Sequence, residues 1–505
     1  MPTRILFIGF DALDKDLLLQ WAGSGILPTF RSLLHDATHG LIANPAGLYG
    51  GTLWPSFITG VSPARHRRFF QRQAPRGEYA EVDFRPSDMQ GQPFWKTLSS
   101  AGRKVAILDV PLSPLTPHLN GIQLVDWSTH DPDVEPAASY PLTLANELVA
   151  QFGRQLSDRC EEVEPTSAGY KAFVHALKER TKQKLAISLH CLRQDNWDLL
   201  ATVFGEAHCV GHQCWHLHDP SYPRHDPLLA AEVGDPMQEI YQVLDGALAQ
   251  LLEAAGAETK VIVLVSHGMG PLYGESVLLD EILRRLENQP SLSPGFLFRH
   301  LKRYWYTLPP SLRESPFLRT AKAKLLPALH QSMLIPERKT RRFFAIMHNP
   351  DAGAVRINVV GRESHGIVHP GKEYREVCER LRNDLLALVN AETGTPVVAA
   401  VFLTHDLFTG PYLDELPDLL VEWSRTAPVK AIQSPRIGTL KMPKLKGRTG
   451  DHWNEGAFFV RGVGLRATRV ERSVSIMDFA PTIGMLLGAP LEGLDGQPIP
   501  EVTGS

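Results

Sequence analysis

With 505 residues, the chain is too long for one simple domain and long enough for a large core that carries insertions. Apolar residues make up 43% and charged residues 21%, the balance of an ordinary globular protein, which excludes a disordered or collagen-like chain. A formal net charge of −3 provides no basic field for a nucleic-acid partner, and no apolar stretch reaches membrane-spanning length.

Residues 4–128 alternate strand-like runs (RILFIGF, KVAILDV) with helical ones (LPTFRSLLHDA, PFWKTLSSAG), the βαβ pattern of a parallel sheet. Residues 141–195 read as helical, ending in a long amphipathic stretch. A strand over 198–204, a helix around 236–254 and a strand over 261–265 continue the alternation. Residues 290–345 are basic, aromatic and punctuated by proline, which reads as a helical insertion or cap. From 353 strands return (AVRINVVG), followed by a helix (EYREVCERLRNDLLALVNA) and strands near 397–402 and 419–422. The fold class expected is α/β, a mostly parallel sheet with helices on both faces. Its core runs over 1–289 and 346–505, with the insertion at 290–345.

Three apolar runs stop abruptly on polar residues. RILFIGF meets Asp11, LLATVF is followed by Glu206, His208 and His212, and VIVLV ends on Ser266 and His267. Ligands of open parallel sheets sit beyond the carboxyl ends of the strands, so these residues mark a candidate metal or phosphate site. His208 and His212 share a helical face. Two further segments contribute. In 44–66 a glycine-rich turn precedes Thr52 at the start of a helix-like run, where a hydroxyl can be activated as a nucleophile. In 447–462 Asp451 and His452 lie in a glycine-flanked loop, where Asp451 reads as the partner that orients His452. Ser266 reads as a turn former or hydrogen-bonding support, and Trp54 and Trp215 as core residues that could frame a substrate. The five cysteines, Cys160, Cys191, Cys209, Cys214 and Cys378, form an odd set without a CxxC pair, which suits a reducing, cytoplasmic setting.

The segments FIGFDAL, TLWPSFITGVSPARH, EAHCVGHQCWH, SHGMG and GDHWNEG, in this order, resemble the alkaline phosphatase superfamily and within it the type I phosphodiesterase and nucleotide pyrophosphatase branch. The resemblance implies an alkaline-phosphatase-like fold and a metal-dependent hydrolase of phosphate esters acting on a small soluble substrate. Metal ligands are implied at Asp11, His212, His267 and His452, with His208 where the family begins its Asp-x-x-x-His and Ser266 where it begins its Asp-His-Gly. The family's nucleophile spacing lands on Gly50, and Thr52, two residues later, is the available hydroxyl.

Asp11 is then the only clear carboxylate at the matched positions, so two close divalent ions would be poorly neutralised. One ion, or two with Glu206 or Asp451 recruited, fits the residue types. Imidazole ligands favour zinc, with manganese or iron as alternatives, over magnesium or calcium. Attack on phosphorus is expected from Thr52 or, without it, from hydroxide directly. Either route needs neutral histidines, and so activity that falls below about pH 6.5. The altered ligand set leaves two other readings open: the same site used for phosphoryl transfer or another metal-dependent conversion, or a binding protein without catalysis.

Overall fold

A computed structural model describes residues 3–127, 137–154, 156, 163–289, 332 and 334–504. Most of the insertion expected at 290–345 lies outside the described residues. The chain divides into two compact units, the first formed by Met1–Phe69, Arg85–Tyr273 and Leu445–Ser505, the second by Phe70–Phe84 and Gly274–Lys444.

The first unit is built on a nine-stranded sheet whose strands, in chain order, are β1 (Ile5–Phe10), β2 (Thr38–Ala43), β3 (Val105–Leu108), β4 (Gly121–Val125), β5 (Ala138–Tyr140), β6 (Leu199–Phe204), β7 (Lys260–Val265), β10 (Gly456–Arg461) and β11 (Arg469–Ser475). A short ribbon, β8 (Gly268–Pro271) with β9 (Gly450–Trp453), stands beside it. The spatial order of the sheet is β11-β2-β10-β7-β1-β6-β3-β4-β5. Pairing is mostly parallel; β10 runs antiparallel to both its neighbours, and β5 closes the far edge antiparallel. The expected mostly parallel α/β sheet is therefore present.

Every residue of β1 is buried, as its unbroken apolar run requires of a central strand covered on both faces. Phe7 stacks on Phe57 of helix α1 (Tyr49–Thr59), with ring centroids 4.7 Å apart, whereas Phe10 meets Phe30 of a helix on the opposite face at 5.6 Å. Helices α2 (Ser167–Gln194), α3 (Glu206–His218) and α4 (Pro236–Ala255) belong to the same unit, and their buried apolar residues join one core cluster with β1, β6 and β7.

The register of the central strands matters most for function. Phe10 pairs with Phe204 on one side and with Val265 on the other, so β1, β6 and β7 finish level. The chain therefore delivers Asp11, the start of α3 and Ser266 to one edge of the sheet.

The second unit contains a four-stranded antiparallel sheet, in the order Phe343–Ile346, Ala352–Ile357, Leu419–Trp423, Val398–Leu403. Its core is shared with helices Leu279–Leu286 and Lys372–Leu386.

Candidate metal centre

α3 begins two residues after β6 and presents His208 and His212 one turn apart. β8 pairs with β9 so that Met269 lies opposite His452 and Gly270 opposite Asp451, bringing the late loop alongside His267. Close approach of β9 to α3 depends on Gly450: a Cβ there would stand 2.2 Å from the backbone oxygen of Gly211. The four imidazoles consequently cluster, with His208, His212 and His452 at centroid separations of 4.7 to 4.8 Å and His267 at 4.5 Å from His452. All four are buried.

Their hydrogen-bond partners assign three of the tautomers. His208 Nδ1 lies 2.8 Å from Asp11 Oδ2, and a carboxylate only accepts, so Nδ1 carries the proton. His212 Nδ1 lies 2.8 Å from the Gly450 carbonyl oxygen and is protonated for the same reason. Ser266 Oγ donates to Asp11 Oδ1 at 3.1 Å and accepts from the Ala12 amide, so it receives a proton from His267 Nδ1 at 3.0 Å. Each ring therefore turns an Nε2 lone pair away from these partners. His208 Nε2 faces His212 Nε2 at 3.0 Å and His452 Nε2 at 3.3 Å, and His267 Nε2 is buried without a hydrogen-bond partner.

His208 Nε2 and His212 Nε2 turn lone pairs towards one another at 3.0 Å, a repulsion that a cation relieves, and the Arg448 guanidinium already donates to His212 Nε2 at 3.4 Å. Such convergence of buried imidazole nitrogens, each held from behind by a proton acceptor, is the arrangement of a metal-binding site. His208, His267 and His452 form one group able to hold an ion, and His212, Asp451 and His452 another. The residues present thus fit a transition ion. Burial pushes the His267 imidazole down to about 4 and holds His452 well below the ordinary histidine value, so both offer neutral nitrogen near neutral pH.

Asp11 belongs to neither group. Its Oδ1 accepts from Trp54 Nε1 at 2.8 Å and from Ser266, and its Oδ2 holds His208. Gly9 makes room for this indole, since a Cβ on it would lie 2.9 Å from Trp54. Trp54, which reads from sequence as packing or a substrate frame, is thus a hydrogen-bond donor to the site's carboxylate. Ser266, expected as a support, bridges Asp11 and His267.

Thr52 is fully buried in the first turns of α1, and its Oγ1 donates to Leu48 O at 2.7 Å. Glu206 is engaged by Arg180, whose Nε donates at 2.8 Å, in a buried ion pair. Cys214 is a free, buried thiol whose pKa is driven up by burial, which keeps it protonated. A second buried pair nearby, Ser56 and His66, has the wrong tautomer for base catalysis. The Arg68 amide donates to His66 Nδ1 at 3.2 Å, so Nε2 carries the proton and donates to Ser56 Oγ at 3.0 Å. Arg65 is paired with Asp495 at 2.6 Å. Sequence reasoning passed over Arg448, whose Nη1 lies 3.4 Å from His212 Nε2; its place directly before the loop of Asp451 and His452 was the available signal.

Among solved structures the chain is similar in fold to phosphonoacetate hydrolase from Sinorhizobium meliloti 1021 in complex with phosphonoacetate, with a TM-score of 0.54 and 14% identity over 97% of this chain and 96% of that one. It is also similar to murine ectonucleotide pyrophosphatase / phosphodiesterase 5, with a TM-score of 0.50 and 11% identity over 98% and 97% of the two chains. No curated protein matches it significantly. The model of the type I phosphodiesterase / nucleotide pyrophosphatase family matches residues 5–452, from the first strand to the last histidine of the cluster. With the match spanning nearly the whole chain and ending on His452, the chain belongs to the type I phosphodiesterase / nucleotide pyrophosphatase family, a family of metal-dependent phosphate-ester hydrolases.

Proposed function

We propose that the chain is a zinc-dependent phosphodiesterase acting on a small soluble phosphate diester, with the ion held by His208, His212 and His452. The observation that carries this reading is the convergence of the Nε2 atoms of these three residues, two of them with Nδ1 fixed by an outer acceptor. His267 and Asp451 border the same position. Asp11 orients His208 from behind, a role in which a carboxylate fixes the ring and raises its basicity as a ligand.

A bound ion supplies Lewis acidity to the phosphoryl oxygens and lowers the pKa of water. The chain's own residues set the rest. Neutral imidazoles keep the centre open to an anion, and burial excludes bulk water from it. Thr52 could attack phosphorus only after giving up its bond to Leu48 O, so the geometry favours attack by water without a covalent intermediate.

Metal analysis by mass spectrometry on the parent and on His212→Ala, joined to hydrolysis of bis-p-nitrophenyl phosphate, tests the proposal. About one transition ion per chain, lost together with cleavage in the variant, is the expected result. Thr52→Val is expected to retain cleavage; its loss with the ion still bound would establish Thr52 as the nucleophile. A parent that stays empty after dialysis against zinc would end the metalloenzyme reading.

A further inference from the structure

The ribbon of β8 and β9 continues the pair of β7 and β10, but the two do not share a register. Val265 pairs with Ala457 in the sheet and Gly268 pairs with Trp453 in the ribbon. Two residues, Ser266 and His267, join these pairs on one strand, whereas three, Asn454 to Gly456, join them on the other. The extra residue makes the junction a β-bulge, a device that interrupts the ladder and re-aims the side chains next to it. Backbone meets backbone closely there: a Cβ on Gly456 would stand 2.3 Å from Val265 O and 2.4 Å from Ser266 O.

One side chain closes the bulge. Asn44, the first residue after β2, donates from Nδ2 to Ser266 O at 2.9 Å and to Asn454 O at 2.7 Å. It reaches them because β2 flanks β10 on the side away from β7, with Ile42 opposite Gly456. Carbonyl oxygens only accept, so these two bonds fix which end of the amide is nitrogen. The other end, Oδ1, is buried and has no hydrogen-bond partner among the described residues. An unsatisfied buried acceptor costs stability, so a contribution to the fold does not by itself account for an amide at this position.

The two carbonyls belong to the segments that carry ligands. Ser266 O is the oxygen of the peptide that leads into His267, and Asn454 lies two residues after His452. The two rings stand with centroids 4.5 Å apart, nearly perpendicular at 87°. On the metal reading given above, we infer that Asn44 is a positioning residue of the centre: its amide pins both strands of the bulge and so holds the His267 and His452 rings against one another. Without its two N–H groups the strands are tied only by the ribbon beyond and the sheet behind.

The test compares full-length parent, Asn44→Ala, Asn44→Ser and Thr38→Val. Thr38 is buried at the opposite end of β2, where its Oγ1 donates to Arg466 O at 2.7 Å, so Thr38→Val removes a buried bond from the same strand without touching the bulge. Zinc affinity is read by competition with a chromogenic chelator, ligand geometry by the visible absorption of cobalt-loaded protein, and stability by urea denaturation. Asn44→Ala is expected to bind zinc about tenfold or more weakly than the parent and to show an altered cobalt spectrum. Asn44→Ser, which keeps a donor for one carbonyl, should fall between, and it decides alone if Asn44→Ala does not fold. Thr38→Val should lose stability and keep the parent's affinity and spectrum. Parent-like affinity and spectrum in the Asn44 variants would overturn the inference and leave the metal reading intact. An equal loss of affinity in Thr38→Val would overturn it as well, by assigning the effect to general stability. A parent that takes up neither zinc nor cobalt would remove the metal reading and this inference with it.

Discussion

Asp11 shows how one side chain is committed by its neighbours. Its two oxygens serve the Trp54 indole, the Ser266 hydroxyl and the His208 ring, and the His208 bond decides which nitrogen of that ring faces the centre. Asp11→Asn keeps the shape and removes the charge, so His208 loses the partner that fixes its tautomer. Zinc affinity, measured by competition with a chromogenic chelator, should fall about 10- to 100-fold while the fold is retained. Unchanged affinity would show that Asp11 does not act on the metal site. The residue itself was legible in the sequence, because an apolar run that stops on an aspartate is conspicuous. Its role was not, since that depends on Trp54 and Ser266, which the chain places far from it in sequence. Arg448 escaped notice for a related reason: an arginine in a polar loop reads as solvated until the loop is seen pinned to α3 through Thr449 and Gly450.

Among elements, the helix–ribbon contact is the most sensitive. α3 and β9 approach so closely that a Cβ on Gly450 would meet the Gly211 oxygen at 2.2 Å and its carbonyl carbon at 3.1 Å. Backbone on both sides cannot turn aside as a side chain would. Gly450→Ala should therefore push β9 from α3, break the His212 Nδ1 bond to Gly450 O, and cost about 1–3 kcal/mol of stability by overpacking. Chemical denaturation and zinc content check this together: full stability with a full complement of zinc would mean that the ribbon yields without strain. The elements of the βα alternation were readable because buried strands have continuous apolar runs and covering helices have period-3.6 stripes. Strands over 397–402 and 419–422 were expected, and Val398–Leu403 and Leu419–Trp423 occupy them. The pairing of β8 with β9 was not readable, since short ribbons of glycine and polar residues carry no periodicity and their partners are distant in sequence.

For the whole molecule, buried ionisable groups set the response to pH. Burial holds His66 down to about 3, and His216 and His348 down to about 4, so each stays neutral in the fold while the unfolded chain takes up protons below about 6.5. Their stabilisation is present above that pH and is lost as the pH falls, on the order of 1 kcal/mol per pH unit for each group. Glu275 works in the opposite sense: burial raises its carboxyl to about 7, so the folded chain holds a proton that the unfolded chain releases from about 4.5 upwards. Stability from this group is present at low pH and is lost as the pH rises through 7. Glu275→Gln removes the charge that burial opposes, and its unfolding free energy should exceed the parent's at pH 8 by up to about 3 kcal/mol and match it at about pH 4, below the unfolded carboxyl's pKa. An equal difference at both pH values would show that the glutamate's ionisation plays no part.

The position of β10 in the sheet has a consequence for biosynthesis. This strand comes from the last part of the chain, yet it lies between β2 and β7, which are made long before it. A ribosome adding about 5–20 residues per second must first complete the whole second unit before His452 and β10 emerge. During that interval β7 has an open edge, β2 has no place in the sheet, and the three-histidine set lacks a member. The nascent protein consequently presents an unpaired strand edge, and the histidine cluster is complete only once residue 452 has been made.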